Sequence, residues 1–584
     1  MKRIFFFLIA LIVAAFAAWY YWNFFNKISR GQMAALLPRD TIFVAHLPDF
    51  DRARDEWQHC DVYQLYREPA VQDFLRKPLA NASKSDVASQ TLREIEQLAP
   101  KNAFIALTSI DNNNPKLVGG FRFRGSKEEA ERIIGKWRSA LMRENSSVKT
   151  EKVQYQQHEI RVAKAAPFSI ATAYDSPWFF AATDVSELER LLDRADRRGS
   201  SGDNGLDKDD AYCTAISHRP SNHMAFFYFQ PKAFSQRLAE LRAVVGSTPA
   251  PGDRTMLEKM RFIAGWMLFE NRKIRDIVFL GMPKLEQEAT LTRSSQSLGT
   301  KETFLYFAML LNLGEKMDTV NQVAAFAGTK AFQALSDSGI TAADWKAAFG
   351  TELGALGDWP SNAHWPSFLL TLPVRDPAKA GKILDALLRS DEEGGWVQTE
   401  KGGVRYLSKP PVGSFVAITP TIALSDRILI AGLNPVSVEE ALKRSATGSP
   451  EFGNSQNYKA AAGLLPPPTD FFAYIDTALL YSRLDASLRP ILLMAAAFVP
   501  AVAASIEPNK IPVAAVITKH LSPIVSSQRY DGDGYIAESI GPITLDQLGI
   551  GVAILSGLGA TARQTGWNPA STATPPGSSP SPTP

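Results

Sequence analysis

Apolar positions recur at helical spacing between Lys127 and Met142. Ala130, Ile133, Ile134, Trp137 and Leu141 fall there at i, i+3, i+4, i+7 and i+11. The first four of these positions return 250 residues later as Ala380, Ile383, Leu384 and Leu387. A second match keeps that offset. Phe180-Ala181-Ala182 leads into a stripe of Leu188, Leu191 and Leu192, and Ile430-Ala431-Gly432 leads into Val438, Ala441 and Leu442. A third, with an offset of 246, sets Tyr212 and MAFFYF (Met224–Phe229) against Tyr458 and DFFAYI (Asp470–Ile475). Three ordered matches at nearly constant offset predict an internal duplication.

Between these helices the pattern shifts to short β-branched and aromatic runs. They read VQYQQHEIRVAK and FSIATAYDSPWFFAAT in the first copy, GGVRYLS and SFVAITPTIALSDRILIAGL in the second. Turn residues fall at Asp175-Ser176-Pro177 and again at Ser425-Asp426. Helices set among hairpin-linked strands predict an α+β fold of two homologous repeated units, with largely antiparallel sheets and packed helices. The match extends outward, because RDTIFVAHL (39–47) is like KETFLYFAM (301–309), and Arg261–Met282 and Lys519–Ile543 both read as hairpins. The units are therefore placed at 36–290 and 300–545. Arg197–Asp210 reads as a surface loop, and Ser247–Asp253 as a Pro/Gly break between helix and hairpin.

Both ends depart from this body. Lys2 and Arg3 precede an apolar run from Ile4 to Phe25, broken by Asn23 and closed by Trp19, Tyr20, Tyr21 and Trp22. That length matches the roughly 30 Å hydrocarbon core of a bilayer, and its aromatic end suits the interface. Residues 1–30 are expected to be a signal anchor, a transmembrane helix holding the body on the periplasmic side of a bacterial inner membrane. Ala15-Phe16-Ala17 leaves the alternative of a cleaved signal and secretion into the periplasm. At the other end an apolar segment, 546–567, runs into an uncharged Pro/Ser/Thr tail, 568–584, whose composition predicts disorder.

Two elements carry a resemblance. LLPRDTIFVAHLPDFDRARDEW (36–57), followed by VYQLYREPAVQDFLRKPL (62–79), resembles the start of a family of uncharacterised, exported, membrane-anchored bacterial proteins, a domain of unknown function. HLSPIVSSQRYDGDGYIAESIGP (520–542) is similar to a C-terminal element of the same group. The resemblance implies bacterial origin and export, and brings no activity with it.

Composition narrows the chemistry. With 63 Lys+Arg against 60 Asp+Glu the chain has no concentrated positive charge, so no nucleic-acid partner is expected. Two cysteines exclude a disulfide framework and an all-cysteine zinc site. Among the seven histidines, His218 and His223 lie near Cys213 but do not share a helical face, and His59-Cys60 diverge as neighbours. HEIRV at His158 holds only half of a metalloprotease helix motif. Asp531-Gly532-Asp533-Gly534 lacks the acidic twelfth position of a calcium loop and reads as a hairpin turn. Phosphate-loop, dinucleotide and nucleophile-elbow motifs are missing, so no catalytic, cofactor or metal residue is assigned.

The apolar stretches Ile491–Ala504 and Leu548–Ala560 are short for membrane spans and are expected to be buried helices, with a membrane-contacting or ligand-binding surface as the alternative. GFRFRG (120–125) alternates at strand period, giving one apolar and one solvated face. The expected function is a non-enzymatic, membrane-tethered binding or assembly scaffold of the bacterial envelope, partnered by the membrane and by an envelope protein or apolar ligand. The alternatives are a carrier or sensor of an apolar ligand, and an envelope hydrolase with dispersed catalytic residues.

Overall fold

The structure, a computed structural model, describes residues 33–81, 93–111, 114–144, 149–165, 168–196, 205–234, 259–284, 289–311, 335, 337–389, 391, 394–411, 413, 418–448, 451–500 and 507–549. The apolar run 4–25, the break at Ser247–Asp253, most of segment 546–567 and the tail lie outside the described residues. Among those that are described, no helix is long and apolar enough to cross a membrane.

Helices and strands are mixed, and the strands form one large antiparallel sheet. In chain order they are β1 (Phe43–Asp49), β2 (Lys101–Asp111), β3 (Asn114–Arg122), β4 (Lys149–Tyr155), β5 (His158–Ala165), β6 (Phe168–Asp175), β7 (Trp178–Ala182), β8 (Ala225–Phe229), β9 (Phe262–Glu270) and β10 (Lys273–Gly281). There follow β11 (Thr303–Leu310), β12 (Glu352–Asp358), β13 (Ser367–Pro373), β14 (Val397–Lys401), β15 (Val404–Ser408), β16 (Thr421–Leu424), β17 (Ile428–Gly432), β18 (Phe471–Ile475), β19 (Ile524–Tyr530) and β20 (Tyr535–Gly541).

Pairing orders the first ten as β4-β5-β6-β7-β3-β2-β1-β8-β9-β10. Read inward from the opposite edge, the other ten run β14-β15-β16-β17-β13-β12-β11-β18-β19-β20. Both runs make the same steps. They meet where β10 pairs with β20, centred on Ile277 opposite Glu538, with Asp276 facing Ser539 on one side and Val278 facing Ala537 on the other.

Strand alternation sends successive residues to opposite faces, and β7 shows the result. Phe180 joins Val44, Phe104 and Val118 beneath Leu188, Leu191 and Leu192 of the Val185–Asp196 helix. Its neighbour Phe179 packs with Ala130, Ile133 and Ile134 of the Lys127–Glu144 helix on the other face. In the second run Leu369 and Ile430 pack on Val438 and Ala441 of the Pro435–Thr447 helix. Leu407 and Leu424 pack on Ala380, Ile383 and Leu384 of the Pro377–Arg389 helix. Local signals set the shorter helices. Asp209 caps Asp210–Ser217 by accepting from the Tyr212 N–H, and Ser455 caps Gln456–Ala462 by accepting from the Tyr458 N–H.

Two local expectations change. Leu206, inside the expected surface loop, is fully buried beside Leu36 and Leu37, and its N–H bonds the Leu37 carbonyl at 2.9 Å. Over its described part, 491–500, the first apolar stretch is not buried. It ends the Thr477–Phe498 helix, where Met494 is 58% and Phe498 83% exposed. Only Ser487 of that helix is buried.

Candidate functional site

The face of the first run that carries the Lys127–Glu144 helix is only partly covered. Beside that helix, β8, β1, β2, β3 and β7 form the floor of a trough of about 620 Å³, whose lining atoms are almost all carbon. One cross-strand row explains it. Ala45 of β1 stands opposite Ile105 of β2, Ile105 opposite Gly119 of β3, and Gly119 opposite Ala181 of β7. Three of these four have a methyl group or nothing, so the floor is low. Leu47, Leu117, Phe121 and Phe179 rise around it, with the two phenylalanine rings 5.5 Å apart. Gly119 is also required by close approach: a Cβ there would sit 2.9 Å from the Phe104 carbonyl oxygen. Ile105 and Ile170 remain 50% and 41% exposed along the trough, an apolar surface of the kind that marks interaction sites.

His46, the next residue of β1, stands opposite Phe104 and Phe226 on the other face of the sheet from Ala45. Burial, reinforced by the nearby His223 and Arg219 charges, pushes its pKa down to about 4. The imidazole is therefore neutral at physiological pH.

A second cavity of about 840 Å³ adjoins the first and shares Ile170, Phe179 and Ala181 with it. Its wall is polar. The row continues from Ala181 to Thr172 of β6, then Arg161 of β5 and Lys152 of β4. Arg161 Nε donates to Glu159 at 2.9 Å, and Lys152 Nζ donates to the same carboxylate at 3.1 Å. Arg161 also pairs with Glu131, whereas the Lys164–Glu151 pair, at 2.5 Å, stands on the opposite face of these strands with Val162.

The residues singled out in the sequence lie elsewhere, and each is engaged. Cys213 Sγ donates to the Asp207 carbonyl, and His223 Nδ1 faces the Pro220 carbonyl at 3.0 Å. His158 is buried with Nε2 3.0 Å from Asp196. Burial pushes the Cys60 thiol up to about 12, far from a reactive thiolate. His59 Nδ1 contacts the Asp55 carbonyl at 2.7 Å. Among the described residues no group of three His, Cys, Asp or Glu is arranged to hold a metal ion. Asp531–Gly534 joins β19 to β20, with Gly532 at φ +59°.

One serine, histidine and aspartate do converge. Ser217 Oγ lies 3.1 Å from His218 Nδ1, and His218 Nε2 lies 3.7 Å from Asp531. The hydrogen bonds argue against nucleophilic chemistry. Nδ1 faces the Thr214 carbonyl at 3.0 Å and so must carry the proton, while the Ser217 hydroxyl donates to that same carbonyl at 2.7 Å. A protonated Nδ1 cannot accept the serine proton.

Sequence reasoning missed the trough. The adjacent Gly119-Gly120 within an apolar strand was its one local signal.

No family model matches the sequence. No curated protein matches it either. Among solved structures, crystal form III of TP0453 aligns with 44% of this chain and 81% of its own, at 6% identity and a TM-score of 0.24. A likeness that weak carries no argument about fold or function.

Proposed function

We propose that this chain is a non-enzymatic binding protein of the bacterial envelope, tethered through residues 4–25, whose body is two homologous units of ten strands. In this reading the first unit takes an apolar ligand along the trough. The observation that carries it is the row Ala45-Ile105-Gly119-Ala181, a low carbon floor between taller apolar walls, open on one side. The duplication is supported by the identical order of steps in the two ten-strand runs. Matched aromatic pairs support it too: Tyr212 and Tyr228 are 5.1 Å apart, Tyr458 and Tyr474 5.3 Å. The apolar N-terminal run and the family resemblance support export and tethering.

Two measurements test this. Protease added to cells with a permeabilised outer membrane should digest the body while the inner membrane stays intact; full protection would refute the periplasmic placement. A fluorescent acyl probe should bind the purified protein and lose at least tenfold in affinity on Ala45→Phe, and an unchanged affinity would remove the trough from the proposal.

A further inference from the structure

The row that floors the trough does not stay apolar. Across seven adjacent strands it reads Ala45, Ile105, Gly119, Ala181, Thr172, Arg161, Lys152. Strands lie about 4.8 Å apart, so carbon-only floor covers about 14 Å before a hydroxyl and then two cations follow. The two cavities along this row adjoin, with Ile170, Phe179 and Ala181 in the walls of both. An occupant that fits both must be apolar over one length and polar at one end.

The polar end carries both signs. On the trough's face Arg161 and Lys152 stand with Glu131 and Glu159, two cations to two anions. An anionic headgroup would meet as many carboxylates as cations, whereas a head with a phosphate and an ammonium finds a partner for each. The pairs now formed leave Lys152 66% and Glu159 45% exposed. Exposed pairs contribute little, so a ligand can exchange partners with them at small cost.

We infer that the first unit binds a single-chain amphiphile with a zwitterionic, phosphate-bearing head, its acyl chain along β1, β2, β3 and β7 and its head over β4 and β5. This rests on the trough being a ligand site and adds the class of ligand and its direction. The chain enters with the methyl end toward Ala45 and the head toward Arg161.

The test uses the full-length protein in its membrane and three photoactivatable lipids with the same diazirine-bearing acyl chain. One is a lysophosphatidylethanolamine, one a lysophosphatidic acid and one a monoacylglycerol. After irradiation, labelled peptides are mapped by mass spectrometry. The zwitterionic lipid should label peptides containing Ile105 and Ala181 at least tenfold more than the neutral one, and more than the anionic one. Ala45→Phe should abolish labelling by all three. Ile105→Glu, at a half-exposed position the fold tolerates, should do the same. Replacing Lys152 and Arg161 together by Met should lower zwitterionic labelling to the neutral level and leave neutral labelling unchanged. Equal labelling by neutral and zwitterionic lipids, or stronger labelling by the anionic one, overturns the headgroup assignment while the trough stands. Absence of label from the trough peptides with every lipid overturns both.

Discussion

The two ten-strand runs place different residues at matching points, and the differences decide what each can do. In the first, the row runs Ala45, Ile105, Gly119, Ala181, Thr172, Arg161. The matching row in the second reads Phe307, Ala355, Leu370, Ala431, Ile422, Leu407. Phe307 stands where Ala45 does, and its ring packs edge-on to Phe471 at 4.9 Å. Leu370 occupies the place of Gly119 and is 52% exposed. Leu407, in the place of Arg161, is 3% exposed beneath the Pro377–Arg389 helix. One row leaves a trough with a charged end, and the other fills its floor and buries that end. Similar backbones thus carry an open, carbon-floored trough in one half and bulkier floor side chains at matching points of the other, with five of the six residues changed.

The largest effect is expected where the runs join. Ile277 and Glu538 face each other across β10 and β20, one apolar and one charged. Glu538 is 4% exposed and bonded by Arg275 at 2.5 Å and by Arg529. Burial alone would raise its pKa, but those two guanidiniums outweigh it and hold the carboxyl below its usual range. Glu538→Ala leaves two cations without their shared partner and should cost about 3–5 kcal/mol in urea unfolding. A loss below 1 kcal/mol would show that the join does not depend on this cluster. Next comes Leu407→Arg, which imposes the first half's residue on the second. An unpaired guanidinium under a helix, together with lost packing, should cost about 3 kcal/mol. A near-neutral result would mean that this helix lies as loosely as the charged end of the trough.

Much of the fold was legible, for a definite reason. The helices at Lys127–Glu144 and Pro377–Arg389 and the hairpin around Asp531–Gly534 are local features, written in spacing and turn residues a few positions apart. The trough is not local. Ala45, Ile105, Gly119 and Ala181 come from four strands spread over more than a hundred residues, and only pairing register makes them neighbours. Nor does a sequence say which face of a strand a helix will cover: alternation in GFRFRG gave two faces, one apolar, without showing that the apolar one stays open. The apolar end of the Thr477–Phe498 helix failed for a related reason. Composition reports hydrophobicity, while burial depends on what packs alongside.

A third contrast is in acid response. His46 matches Ala308 of the second run, since their neighbours Ala45 and Phe307 occupy matching places in the row. Its pKa falls from an ordinary 6.5 to about 4 on folding. The unfolded chain therefore binds more protons between these values, and the stability contributed by neutral His46 is present above pH 6.5 and lost as pH falls toward 4. Asp276 acts oppositely, because burial and then the Asp546 charge raise its pKa to about 6, which favours the folded state as pH falls through that value. His46→Ala removes only the first contribution. The stability advantage of the native protein over this variant should shrink by about 2 kcal/mol between pH 7 and pH 5 in urea unfolding. A constant difference would mean that His46 titrates as it does in the unfolded chain.

The smallest expected effect is the reverse of the Leu407 exchange. Arg161→Leu gives the first half the residue that the second buries, but here the side chain is 34% exposed and its carboxylate partners Glu131 and Glu159 are 29% and 45% exposed. Water can replace the lost guanidinium at both carboxylates, so the cost should stay under about 1 kcal/mol. The two exchanges alter the same pair of residue types at matching points of the sheet and differ only in what covers them. If the cost in each half is set by cover, Leu407→Arg must exceed Arg161→Leu severalfold in the same unfolding assay. Equal costs would instead mean that the charged end is as closely packed as its counterpart, leaving no room there for a polar head.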